Sequence, residues 1–219
     1  MTTETLENQA EQVEESSPPE PLHPDAILAG AIIHAANVLE RIDFRNPQPI
    51  ESLLDTCLAA MQRDSLDALR EKALKRLTPF LESPVFTELQ TSRECFREID
   101  FLLKWPIENS PEEAEQTVTI TGQIDCLVHT ADDRWKIFDY KTGRVPQKQF
   151  ATVLKKYEIQ LLLYSLACRE LLDRFPDSVE LVLLQSDAVD CVVFEITGDV
   201  LTKLSQRIES AIRHLRSGR

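Results

Sequence analysis

The chain has 219 residues, 42% of them hydrophobic, and a formal net charge of −13. That is enough apolar chain for one substantial core, so one globular domain with a tail is the expected organisation. No apolar run approaches the ~20 residues of a membrane helix, and the five glycines contain no G-x-x-x-x-G-K-[ST] pattern, which excludes a P-loop ATPase within these residues.

Charge is unevenly spread. Residues 1–25 carry Glu4, Glu7, Glu11, Glu14, Glu15, Glu20 and Asp25 with no lysine or arginine, and with the Ser- and Pro-rich stretch 16–24 they read as a disordered acidic tail. The opening MTTETLENQAEQVEE lacks the charged-then-apolar order of a secretory signal, so a cytoplasmic protein is expected. Cys57, Cys95, Cys126, Cys168 and Cys191 are scattered without C-x-x-C spacing, as reduced thiols are.

In chain order, an Ala/Ile/Leu-rich helix is predicted over 26–42 and carries His34; a lone histidine on such a helix is ordinarily packed or capping. Helical segments follow across 50–82. Glu94 to Trp105 (ECFREIDFLLKW) reads as a strand containing Glu98, either an acidic site residue or a surface carboxylate paired with a cation. After an acidic loop at 109–115, with no catalytic role expected, Val118, Ile120, Ile124, Cys126 and Val128 recur at every second position. This is the period of a half-buried strand over 117–128, with Asp125 pointing away from the apolar row. The short Thr130–Asp133 turn then leads into a strand over 134–141, RWKIFDYK. The two strands are expected to form an antiparallel hairpin. A long helix over 149–174, strands over 179–185 and 191–196, and a helix over 199–216 with Leu201, Leu204, Ile208, Ala211 and Leu215 inward complete the chain. The fold class is therefore α/β: a mixed central sheet flanked by helices.

Asp139 and Lys141 stand two apart on one strand and share a face, and the hairpin lets Asp125 and Asp139 converge. Two adjacent carboxylates repel unless a cation lies between them, and a hard divalent ion, Mg²⁺ or Mn²⁺, suits oxygen ligands. Such a site can polarise a phosphoryl oxygen while the neighbouring ammonium stabilises developing negative charge, which is chemistry for cutting phosphodiesters. A single D-x-K is more often a solvated strand end; its company carries the reading. Lys141 to Tyr157 also holds Arg144, Lys148, Lys155 and Lys156 with no acid before Glu158, a local basic strip that could follow a DNA backbone.

The linked elements Gly30-Ala-Ile-Ile-His34, Gly122-Gln-Ile-Asp125, Asp139-Tyr-Lys-Thr142 and Gln160-Leu-Leu-Leu-Tyr164, with Tyr157 three residues before the glutamine, resemble the PD-(D/E)XK nuclease superfamily. The resemblance is specifically to the RecB-like exonuclease domain at the C-terminus of AddA and RecB helicase-nucleases. It extends over roughly residues 26–200, with residues 26–219 expected to form one nuclease domain, and implies a restriction-endonuclease-like core. It implies that His34, Asp125, Asp139 and the Tyr140 carbonyl ligate the metal and that Lys141 is the catalytic lysine. Gln160 and Tyr164, four apart on one helical face, would touch the substrate strand or brace the ligands. Relatives with a four-cysteine iron–sulfur cluster surround this core with clustered ligands, and the scattered cysteines here supply none, so no iron–sulfur cluster is expected.

The expected function is a Mg²⁺-dependent DNA exonuclease in double-strand break repair or recombination, with a superfamily 1 helicase as a separate chain or a fused region. A nuclease fold kept as a DNA-binding or scaffolding module of a helicase complex is the alternative. An RNA nuclease or a restriction-like endonuclease also stays open, because such a metal site reads the phosphodiester and not the sugar or base.

Overall fold

The computed structural model describes residues 38–59, 66–106 and 117–217. The predicted acidic tail, His34, most of the 26–42 helix and the 109–115 loop lie outside these residues. The described part begins with α1 (Val38–Arg41), α2 (Ile50–Ala59), α3 (Leu66–Leu81) and α4 (Pro84–Thr91). The strands β1 (Glu94–Pro106), β2 (Thr117–His129) and β3 (Trp135–Thr142) follow, then α5 (Phe150–Leu172), β4 (Ser178–Leu184), β5 (Val189–Phe194) and α6 (Gly198–Ser217).

The five strands form one sheet in the order β1-β2-β3-β4-β5. Only the β3–β4 pair is parallel, with α5 as its crossover, so the sheet is mixed as expected. One apolar layer packs α1 to α4 against Cys126, Val128, Phe138, Tyr140, Val182 and Leu184. The other packs α5 and α6 against Leu127, Ile137, Val179, Leu181 and Leu183. Strand β4, SVELVLL, contributes to both layers, which is why its sequence is nearly continuously apolar. Among the described residues no helix is long and apolar enough to cross a membrane.

Three details depart from the sequence reading. Helix α4 has no counterpart in it: Ser83 caps this helix, its hydroxyl accepting from the Phe86 N–H at 3.2 Å, and Pro84 occupies the first turn. Strand β5 begins at Val189 instead of Cys191, because the Gln185 N–H donates to the Ala188 carbonyl at 3.0 Å and closes a tight turn that starts the strand earlier. In α6, Ala211 is exposed and Ile212 takes its inward place after Leu201, Leu204 and Ile208; the side chain of Leu215 lies outside the described set.

A larger departure concerns β2. Its apolar alternation does not mark one buried face. Cys126 and Val128 join the α1–α4 layer, whereas Ile120 and Ile124 pack into the α5–α6 layer. The same change of side occurs on β1, between Cys95 and Ile99. The β1–β2 register is nevertheless constant, Arg97 facing Cys126 and Ile99 facing Ile124. Between them Glu98 has φ 49°, left-handed backbone that a glutamate rarely adopts, and it marks where the hairpin turns over to wrap α5.

Candidate active site

The point where the hairpin turns over coincides with the predicted site. The register places Glu98 across from Asp125, and one further step of the β2–β3 register (Cys126 facing Phe138) places Asp125 across from Asp139. Three carboxyl-bearing positions thus form a row over three neighbouring strands. Asp125 is fixed from β3: the Tyr140 N–H donates to its Oδ2 at 2.9 Å. The Tyr140 ring packs in the opposite layer, edge-on to Phe80 at 5.7 Å, so only the Tyr140 backbone faces Asp125.

Asp139 is fully buried. The Lys141 ammonium stands 2.5 Å from its Oδ2, yet neither Asp139 oxygen has a well-directed hydrogen-bond donor. Burial pushes its pKa up to about 7; Lys141 opposes that shift and the Asp125 charge adds to it. The direction follows from removing a carboxylate from water and setting a second one beside it.

Helix α5 closes the site. The Tyr157 ring lies 4.9 Å from the Lys141 ammonium and 5.2 Å from that of Lys156, so one aromatic ring attracts two cations. The Gln160 amide donates to the Tyr164 hydroxyl at 2.7 Å. Tyr164 is buried, and its pKa is raised by burial first and then by the Asp125 and Asp139 charges, which places its hydroxyl within their field. Gln160 and Tyr164 are therefore brought to the carboxylates, with Tyr164 too buried to meet a substrate directly.

Two residues that hold this arrangement do not stand out from the sequence as contacts. Gly122 faces Phe101 in the β1–β2 register, and a Cβ built at Gly122 would come 2.4 Å from the Phe101 ring. The missing side chain lets that ring lie across β2 and meet Tyr164 edge-on, with centroids 5.9 Å apart. The glycine of G-x-I-D is visible in the sequence. Its partner is not, because nothing local sets the register between two strands that are not contiguous in the chain.

Among the described residues no group of three or more His, Cys, Asp or Glu side chains is gathered closely enough to hold a metal. The described part offers the Asp125–Asp139 pair, and His34 lies outside it. The pair fits a hard cation on one observation: a buried carboxyl whose oxygens lack directed donors sits beside a second carboxylate. Of the basic strip, Arg144, Lys148, Lys155 and Lys156 are exposed at the start of α5 and in the turn before it.

Comparison with known proteins bears on the family and the fold. An ATP-dependent helicase/nuclease of Bacillus cytotoxicus has a chain that is 26% identical over 156 residues, 65% of this chain and 12% of the relative. The ATP-dependent helicase/nuclease chain of Heliobacterium modesticaldum is 38% identical over 92 residues, 41% of this chain and 6% of the relative. The chain thus spans about an eighth or less of the length of these relatives. A solved structure of a candidate exonuclease of Eubacterium rectale shares the fold with a TM-score of 0.50 at 12% identity, covering 89% of this chain and 67% of that one. A family model described as the PD-(D/E)XK nuclease superfamily matches residues 7–219, nearly the whole sequence, and the chain belongs to that superfamily.

Proposed function

We propose that the chain is a divalent-metal-dependent deoxyribonuclease, an exonuclease of RecB/AddA type that works beside a helicase in double-strand break repair or recombination. The observation that supports this most is the fully buried Asp139 carboxyl, across from Asp125 and 2.5 Å from the Lys141 ammonium. Asp125, Asp139, His34 and the Tyr140 carbonyl would hold Mg²⁺, with Mn²⁺ a workable substitute. When bound, such an ion supplies Lewis acidity to a phosphoryl oxygen and to the attacking water.

The remaining work falls to the chain. The Tyr140 N–H keeps Asp125 aimed across the strands. Lys141, steadied over the Tyr157 ring, offsets the negative charge that grows on the phosphoryl group. Tyr164 braces the carboxylate row from α5 and holds Gln160, whose partly exposed amide can meet the strand being cut. Arg144, Lys148, Lys155 and Lys156 offer phosphate contacts leading to that point, a local basic surface on an acidic protein. The relatives named as helicase/nuclease chains support a helicase as partner or as a fused region.

The test is incubation of the protein with end-labelled single- and double-stranded DNA, and with RNA as competitor, in Mg²⁺, Mn²⁺ or EDTA, beside Asp139→Ala. Metal-dependent degradation of DNA that the variant lacks is expected. DNA binding without cleavage, alone and with a helicase supplied, would favour the scaffolding module instead.

A further inference from the structure

On the far side of the β1–β2 hairpin from α5, a cavity of about 200 Å³ is bordered by Asp43, Phe44, Arg45, Ser92, Cys95 and Arg97. Cys95 is half-buried at its wall. Behind it, 3.5 Å from its sulfur, lies the sulfur of the buried Cys126 on the neighbouring strand. The nuclease reading uses neither thiol. Arg97 is held at the cavity by donating to the Ile42 carbonyl at 2.7 Å and by lying 4.6 Å over the Phe44 ring, so its charge stays beside Cys95. Arg45 is tied to the same wall by donating to the Arg93 carbonyl at 2.9 Å.

A reactive cysteine needs partial exposure, nearby positive charge and, for a reversible outcome, a second thiol within reach. All three meet here. Cys168 is buried in the opposite layer and Cys191 lies on β5, and neither has a described sulfur beside it. We propose that Cys95 and Cys126 form a dithiol that hydroperoxides oxidise to a cross-strand disulfide, with Cys95 as the sulfur presented to the oxidant and Cys126 as the sulfur that resolves it.

The step balances with hydrogen peroxide as oxidant. The Cys95 sulfur attacks one peroxide oxygen, an S–O bond forms and the O–O bond breaks, and the departing hydroxide takes the proton that the Cys95 thiol gives up and leaves as water. The Cys126 sulfur then attacks the Cys95 sulfur, the S–O bond breaks, and the leaving hydroxide combines with the Cys126 proton as a second water. Two thiols and one peroxide give one disulfide and two waters. The two cysteines lie on a diagonal of the β1–β2 register, Cys95 facing Val128 and Cys126 facing Arg97, and their sulfurs need to approach from 3.5 Å to about 2.05 Å. The Cys95 thiol is held below its ordinary value by the hydrogen bond with Cys126 and by Arg97, against the effect of burial, which supports its role as the attacking group.

The test is peroxide treatment of the reduced, folded protein, followed by alkylation and peptide mapping without reductant. A Cys95–Cys126 cross-linked peptide is expected, with Cys95 lost at least about tenfold faster than Cys168 or Cys191. Cys126→Ser should leave a Cys95 sulfenic acid that dimedone traps. If that variant does not fold, the wild-type map still decides. Cross-links among other cysteines, or loss of Cys95 no faster than of Cys191, overturns the proposal. Since the readout is covalent, it stands or falls separately from nuclease activity.

Discussion

At the residue scale, Asp125, Asp139 and Lys141 differ in what each removal should do. Asp125→Ala should abolish cleavage and weaken Mg²⁺ binding, whereas Lys141→Ala should abolish cleavage and leave Mg²⁺ affinity largely intact. Calorimetric titration of both variants checks this, and equal loss of metal binding would refute the division of roles. Asp139 carries a pH signature. Its pKa is raised to about 7 in the fold from 3.8, so between those values the folded state holds a proton that the unfolded chain has lost. Metal-free stability from this group is therefore fully present below about pH 4 and declines as pH rises through 7. Asp139→Asn, which cannot titrate, should raise the metal-free melting temperature more at pH 8 than at pH 5, and least below pH 4, where the carboxyl is protonated in both states. A variant less stable than wild type at pH 8 would count against a buried, strained carboxylate.

At the scale of elements, β1 and β2 show how far a sequence can be read. Alternation locates β2 to within a residue, and period-two spacing puts Asp139 and Lys141 on one face of β3, although the accompanying motifs are what give that pair its meaning. The same alternation misleads about faces: Ile124 and Cys126, two apart, belong to different layers, and the change falls where Glu98, across from Asp125, adopts left-handed backbone. A backbone reversal of that kind has no local signature in glutamate, whereas a glycine there would have announced it. Helix α4 is legible in principle, since Ser83-Pro84 is a capping pair, but its eight residues carry little periodicity. The Phe101–Gly122–Tyr164 packing depends on register and leaves no trace in the sequence. It yields its own expectation: Gly122→Val should destabilise the protein by about 1–3 kcal/mol through overpacking against the Phe101 ring. Phe101→Leu in the same chain should recover part of that loss. Denaturant unfolding of the single and double variants measures the coupling, and strictly additive losses would sink the contact as the cause.

At the scale of the molecule, a net charge of −13 sets a polyanion substrate against an acidic protein, and seven of the acids lie in residues 1–25. Removing that segment should tighten DNA binding at low salt, with the two curves converging as ionic strength rises and the Debye length shrinks toward about 3 Å at 1 M. Fluorescence anisotropy over a salt series reads this directly; an effect that persists at high salt would point to a contact made by the segment and not to its charge.

The mixed pairing of the sheet also divides its contacts between short and long chain separations. β1, β2 and β3 are joined by antiparallel pairings between sequence neighbours, while β3 can meet β4 only after the chain has traversed all of α5. Closing that longer loop costs more entropy and delays the contact. An isolated β2–β3 hairpin open to water would let Asp125 and Asp139 face one another with both charges cheaply hydrated. The cost that lifts Asp139 comes from its burial, and so belongs to the packed sheet and helices and not to the hairpin by itself.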